Sequence, residues 1–162
     1  MMDSDSWHRG PRWHVMQQES LAGSLEDRLR AALSSSVQLV NTRGAADRLG
    51  DMEAIYCLQS VMLRIVRDRG QEFLYIAPVS IPDRFFQFGD VEIAMGWRTV
   101  QDVLKKRDPE PLETTLARLS RHLDELTAAL SGDCASHTVE LFERAAKERG
   151  DAFLAWLRGQ QA

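Results

Sequence analysis

Apolar and polar residues are patterned most clearly between Val61 and Val79, where two apolar runs flank the triplet Asp68-Arg69-Gly70. Short runs rich in β-branched and aromatic residues are typical of strands. Gly70 can take the positive φ that a tight loop requires. The pattern therefore predicts a β-hairpin, closed by a short loop through a bulge.

Three further segments have strand character. Residues 54–58 are rich in strand-forming residues, and the two residues that follow fit a tight turn into the hairpin. Residues 37–42 fit either a short strand or a helical turn, with a strand favoured, and residues 84–88 offer another strand after two prolines. The sequence thus predicts an antiparallel meander of three or four strands.

Alternation within the hairpin separates two faces of this sheet. One face is fully apolar and the other is mixed, so helices are expected over the first and a partner or an aromatic loop over the second. The first carries Leu63, Ile65, Leu74 and Ile76, and the second carries Met62, Arg64, Val66, Phe73, Tyr75 and Ala77.

The rest of the chain has helical periodicity. An amphipathic helix is expected from Ser20 or Ser24, and two short helices at residues 89–95 and 99–106, the second capped by Thr99. A long helix with a leucine seam follows the prolines at 109 and 111, and a last helix begins near Ser136. The seams consist of Leu112, Leu116, Leu119, Leu123, Leu126 and Leu130, and of Val139, Phe142, Ala146, Arg149, Phe153 and Trp156.

These elements predict an α+β fold, in which an N-terminal helix and a C-terminal antiparallel helical hairpin pack on the small meander. The domain is expected to cover residues 18–160. Residues 1–17 lack a helical or strand period and are predicted to be a flexible N-terminal arm.

Composition narrows the classes of function. A net charge of −4 in 162 residues gives no electrostatic footprint for nucleic acid. No apolar run is long enough to span a membrane and no secretory signal is recognisable, so the protein is expected in the cytoplasm. Two cysteines, Cys57 and Cys134, do not form a disulfide framework and are expected to be reduced.

Motifs that carry chemistry are missing from the sequence, which contains no phosphate-binding glycine loop, zinc-binding His or Cys pattern, or serine elbow. We therefore expect no metal, no cofactor and no catalytic residue. The best candidate region combines acidic and aromatic residues. Its carboxylates either cap helices, as Asp90 would at the start of the helix near residue 90, or carry raised pKa values suited to acid–base work. The residues are Asp83, Asp90, Glu92 and Asp102, with Phe85, Phe86, Phe88 and Trp97.

Three arginines, Arg64, Arg67 and Arg69, surround the tip of the hairpin. They could receive an anionic group or an acidic partner surface. Asp68 and Glu72 lie between and beside them, so a charge network at a solvated tip is the favoured interpretation.

The segments LRIVRDRGQEFLYIA, RFFQFGDVEIAMG and LFERAAKERGDAFLAWL together resemble small bacterial proteins of unassigned activity, some of which are immunity partners of secreted polymorphic toxins. The resemblance covers residues 50–158. It implies a non-enzymatic cytosolic protein that binds and blocks a cognate toxin domain. Immunity proteins against basic nucleases are usually strongly acidic, so the mild charge here does not indicate a nuclease target.

We therefore predict a protein-binding module whose partner is a toxin domain or a second copy of the chain. The alternatives are a small-molecule-binding protein or hydrolase that uses Asp83, Asp90 or Glu92 beside Tyr75 and Trp97, and a homodimer built on the leucine-striped helix. The candidate partner-binding residues are Arg64, Arg67, Arg69, Tyr75, Asp83, Phe85, Phe86, Asp90 and Trp97.

Overall fold

The structure, a computed structural model, describes residues 12–44, 51–105 and 110–160, with side chains from residue 23 onward. Within these ranges, one antiparallel sheet consists of β1 (Gln38–Gly44), β2 (Met52–Leu58), β3 (Val61–Asp68), β4 (Gln71–Pro78) and β5 (Phe86–Gln87), paired in chain order. The helices are α1 (Arg12–Leu33), α2 (Phe88–Ala94), α3 (Val100–Leu104), α4 (Leu112–Ala129) and α5 (Cys134–Gly159). The predicted α+β class is confirmed, with five strands in place of three or four.

The hairpin of β3 and β4 is confirmed, but its loop contains two residues and no bulge. Asp68 pairs directly with Gln71, and the two residues between them, Arg69 and Gly70, have φ values of 50° and 81°. Two consecutive positive φ values are typical of the type I′ loop, whose twist matches that of the flanking strands. The backbone N–H of Arg69 also donates to Asp51 Oδ1 at 3.0 Å, which ties the loop to the residue before β2.

The edges of the sheet differ from expectation. The strand predicted at residues 37–42 is confirmed as β1, which contains an irregularity between Leu39 and Asn41. The strand predicted at residues 84–88 is reduced to the two residues of β5, because α2 already begins at Phe88. The helix predicted at residues 89–95 thus begins one residue earlier, at the last residue of the predicted strand.

The helices lie on one face of the sheet, as the alternation predicted. Leu63, Ile65 and Ile76 are at most 1% exposed, and they join the apolar residues of α1, α4 and α5 in one core. All six leucines of the α4 seam are buried in this core. The seam is therefore satisfied within the chain, and a homodimer built on it is not supported.

α1 begins at Arg12, about two turns before Ser20 and about three before Ser24, the two predicted starts. No glycine or proline occurs between Pro11 and Gly23, so nothing in the sequence interrupts the helix there. Part of the predicted arm is therefore helical. Residues 1–11 lie outside the described residues, and the arm remains a prediction for them.

α4 and α5 follow each other through a short connection, but each packs mainly on another helix. α5 lies chiefly against α2, and α4 lies chiefly against α1. Only the N-terminal half of α5 is buried, through residues such as Val139, Phe142 and Ala145. The predicted seam residues Phe153 and Trp156 are 46% and 43% exposed.

Tyr56 provides a test of this packing, since it is fully buried under the helices. Burial, together with the nearby charge of Glu26, raises the pKa of Tyr56 to about 12. The folded state therefore holds the phenol proton more tightly than the unfolded state does. The stability that results is complete below the ordinary tyrosine pKa near 10 and is lost as the pH rises through about 12.

Between pH 9 and pH 12, the unfolding free energy of the wild type is expected to fall by about 2 kcal/mol more than that of Tyr56→Phe. Urea unfolding of both proteins across this range measures the difference, and the variant corrects for every other titrating group. A constant offset between the two curves would contradict the prediction.

Candidate functional site

The face of the sheet opposite the helices is centred on Arg64. Its guanidinium carbon lies 5.4 Å from the ring centroid of Tyr75 and 5.5 Å from that of Phe85. Tyr75 is the cross-strand neighbour of Arg64, whereas Phe85 comes from the loop before β5. The structure thus brings together three of the nine predicted site residues, in a cation–π arrangement that also orders the arginine.

Around Arg64 this open face consists mainly of half-buried apolar side chains. The register places Ile55, Arg64 and Tyr75 in one row across β2, β3 and β4. The residues of the rows on either side are also partly exposed, except for Ala77 beside Met62, which is buried. They contribute Glu53, Val66 and Phe73 on one side and Cys57 and Met62 on the other.

The guanidinium of Arg64 is only partly satisfied. Its Nη2 donates to Glu53 Oε2 at 3.1 Å, while its Nε is buried and has no hydrogen-bond partner. A buried donor without an acceptor costs roughly 1–3 kcal/mol. Arg64 therefore stays in place at this cost, held by Glu53 and by the rings of Tyr75 and Phe85.

The other two arginines of the predicted triplet lie elsewhere. Arg67, two positions after Ile65, points to the same helix-covered side of the sheet. There its Nη2 donates to Glu72 Oε1 at 2.6 Å. Glu72 also accepts two hydrogen bonds from Arg28 of α1, and these bonds, together with that from Arg67, hold the pKa of Glu72 below its ordinary value. Arg69 is 92% exposed in the loop. The three arginines do not form one anion site.

Asp90 and Glu92, the two buried acids of the candidate region, are neutralised by arginines. Asp90 is not the helix cap that was predicted but lies within the first turn of α2, where it accepts from Arg149 Nε at 2.6 Å and Nη2 at 3.2 Å. Glu92 accepts from Arg118 Nε at 2.6 Å and from Arg98 Nη1 at 3.2 Å. These pairs join α2 to α4, α5 and the α2–α3 connection.

The remaining candidates have separate positions. Phe86 is buried, with its ring centroid 5.4 Å from that of Phe142. Trp97 stacks on His122 of α4 at 4.2 Å, and its Nε1 donates to Glu125. Asp83 is exposed in the loop before β5.

The sequence predicted that acidic residues of this region could cap helices, and Asp102 has that role. Thr99 caps α3, as predicted, in a reciprocal capping box with Asp102. Hydrogen bonds from Thr99 lower the pKa of Asp102.

The hydrolase alternative required free carboxylates converging beside Tyr75 and Trp97. A cavity of about 240 Å³ does border Glu92, but Asp83, Tyr75 and Trp97 are not among its lining residues. The cavity also contains Arg98, Arg118 and Arg149, which pair with the buried acids. Each acid that lines this cavity, Glu72, Glu92 or Glu110, forms an ion pair with at least one arginine.

The described part of the chain has neither a metal-binding cluster nor a membrane-spanning helix. Residues 12–44, 51–105 and 110–160 contain no group of three or more His, Cys, Asp or Glu that could hold a metal ion. No helix in these ranges combines the length and apolar character needed to cross a membrane. Comparisons of the chain with protein-family models, curated proteins and solved structures found no significant match.

Sequence reasoning missed Glu53 and Ile55 as members of the open face. The signal was present, because pairing β2 with the hairpin in register places Ile55 beside Arg64. The contact of Phe85 with Arg64 depends on the path of the loop, and nothing local in the sequence specifies it.

Proposed function

We propose that the chain is a cytosolic, non-enzymatic protein-binding module whose binding surface is the open face around Arg64. The observation that carries the proposal is an arginine held between two aromatic rings, within a sheet face of half-exposed apolar side chains. Arginine and aromatic residues supply most of the energy in protein interfaces, whereas Lys and Glu are depleted there.

The charge of Arg64 specifies the chemistry of the partner. A carboxylate on the partner accepts hydrogen bonds from the exposed part of the arginine fork, and apolar groups beside that carboxylate cover Ile55, Val66 and Phe73. The resemblance to immunity proteins supplies the class of partner, a toxin domain that the module binds and blocks.

The size of the open face indicates that neighbouring segments also take part. Four strands about 4.8 Å apart and six residues of about 3.3 Å each give a face of roughly 14 by 20 Å. A standard interface buries about 800 Å² on each partner. The loop that carries exposed Val79 and half-buried Phe85 adjoins this face and supplies further area.

The test compares Arg64→Ala with Arg69→Ala, which removes the same side chain from the exposed loop. The genes next to the one that encodes this chain are searched for a toxin domain, which is then titrated with each variant to measure its activity and its affinity for the module. Because a central anchor contributes at least ~2 kcal/mol, we expect Arg64→Ala to weaken binding about 30-fold or more. Arg69→Ala is expected to bind like the wild type.

Folding of each variant is verified by circular dichroism and urea unfolding. Equal affinity of Arg64→Ala and Arg69→Ala would refute the assignment of the surface. Failure of the wild type to inhibit or bind the neighbouring toxin domain would refute the immunity function.

A further inference from the structure

The strand β1 forms an open edge of the sheet. It pairs with β2 on one side, and no other described strand lies beside it. The opposite edge is closed, because β5 has only two residues, runs directly into α2 and packs Phe86 against Phe142 of α5. Outward backbone N–H and C=O groups at an open edge are a template for another strand. The chemistry of this edge therefore specifies an extended segment of chain with an open edge of its own.

β1 lacks most of the features that keep edge strands from pairing with other chains. Protected edge strands are usually very short, or carry lysine or proline. β1 has seven residues, against eight in each strand of the central hairpin, and contains neither lysine nor proline. Two of its apolar side chains, Leu39 and Val40, are 39% and 54% exposed. Its irregularity lies between Leu39 and Asn41, so residues 41–44 keep a regular register that can continue into another strand.

The helical layer also leaves this edge accessible. Leu39 lies opposite Tyr56, which is fully buried under the helices, so the side chain of Leu39 belongs to the covered face of the sheet. Leu39 is nevertheless more than a third exposed. The helical layer thus stops short of the outer side of β1, and a neighbouring strand has room there.

We propose that the occupant is a second copy of the chain, with the two β1 strands paired antiparallel about a twofold axis normal to the sheet. Each copy supplies the one open edge found among its described strands, so pairing uses both edges and association stops at two chains. This axis keeps corresponding faces of the two sheets on the same side. The two helical layers then cover one side of a continuous sheet, and the two open faces lie together on the other.

A register centred on Thr42 matches the side chains of the two strands. It sets Thr42 opposite Thr42 of the other copy, and Asn41 opposite Arg43. Thr42 lies on the covered face, opposite buried Ala54, whereas Asn41 and Arg43 both lie on the open face, so each pair shares one face. Cross-strand threonines are favourable, and an amide oxygen accepts from a guanidinium. Arg43 is the only charged residue of β1, and this register does not set its two copies directly opposite each other.

The contact is small, so the dimer is expected to be weak. About five residues of each copy take part in the strand pairing, whereas a standard interface has about 20–30 residues on each side. We expect a dissociation constant on the order of 100 µM. The contact is made by the edge of the sheet, so the proposal does not depend on the partner proposed for the open face.

Sedimentation equilibrium of the full chain between about 5 µM and 1 mM tests the proposal, and the mass should rise from one chain towards two. Val40→Lys should weaken association by about 10-fold or more, because lysine on an edge opposes strand pairing. The matched control is Val79→Lys, which changes an apolar residue that is 41% exposed after β4 and should associate like the wild type. Urea unfolding verifies that both variants are folded.

Asn41 tests the register with a change of opposite sign. Asn41→Asp should strengthen association about 3- to 10-fold, because it faces Arg43 of the other copy, and Asn41→Arg should weaken association by a similar factor. A gain in affinity cannot arise from misfolding. Equal affinities of the two variants would overturn the register centred on Thr42.

Hydrogen exchange locates the contact. The backbone N–H groups of β1 should exchange more slowly at about 1 mM than at about 5 µM, while those of α5 should exchange equally at both concentrations. Association without slower exchange in β1 would overturn the proposal. A wild type that is monomeric at every concentration would also overturn it, and would leave this edge to a strand of a different protein.

Discussion

Replacing Phe86 with alanine is expected to destabilise the fold by about 3–5 kcal/mol, whereas replacing its neighbour Phe85 should cost about 1 kcal/mol or less. The two residues are adjacent in the chain but lie in different environments. Phe86 is 9% exposed, and its ring meets that of Phe142 edge to face inside the core. Removing it leaves a cavity that fixed helices cannot fill.

Phe85 is half-buried on the open face, where its loss removes one of two rings that flank Arg64. We therefore expect Phe85→Ala to weaken partner binding while leaving most of the stability intact. Urea unfolding at 25 °C measures both stabilities, and titration with the partner measures affinity. Equal losses of stability in the two variants would show that this division between core and open face is wrong.

The contrast between the two phenylalanines shows what local sequence can specify. Alternation predicts that consecutive residues of an extended segment face opposite sides, but it does not say which side is covered. For β3 the same rule also assigns the arginines to faces of the sheet. Arg67 is separated from Leu63 and Ile65 by an even number of positions, so it belongs to the covered face of the sheet. The prediction that it shares a site with Arg64 rested on their closeness in sequence and is wrong.

The hairpin, the leucine seam of α4 and the capping of α3 were predictable because each depends on residues within a few positions of one another. Which helices pack together was not predictable in this way. That choice depends on contacts between distant segments, such as the partly buried pair of Arg149 and Asp90, which joins α5 to α2 across 59 positions. A charged residue within an otherwise apolar seam was the only signal of this contact in the sequence.

Replacing Glu92 with the neutral residue glutamine is expected to lower the free energy of unfolding as much as Phe86→Ala does. Its side chain is 2% exposed, and its carboxylate bridges Arg98 and Arg118, which both also approach Glu110. These four residues connect α2, the α2–α3 connection, and α4 with the residues just before it. In Glu92→Gln the two guanidinium groups lose a shared charged acceptor in a mostly buried site, and breaking a buried pair typically costs about 3–5 kcal/mol.

Urea unfolding of Glu92→Gln measures this loss, with Glu148→Gln as the control. Glu148 is an exposed acid on α5, and the same substitution there should change stability by less than about 0.5 kcal/mol. A loss below about 1 kcal/mol in Glu92→Gln would contradict a stabilising role for the pair.

A double-mutant cycle separates the energy of the ion pair from the energy of packing its two side chains. If Glu92 acts mainly through Arg118, then Glu92→Met and Arg118→Met together should cost less than the sum of the single changes, because neither charge is left without its partner. The coupling expected for groups in direct contact is about 1–3 kcal/mol. Additive losses would mean that the two residues stabilise the helical layer independently, and that the 2.6 Å contact between them carries little energy.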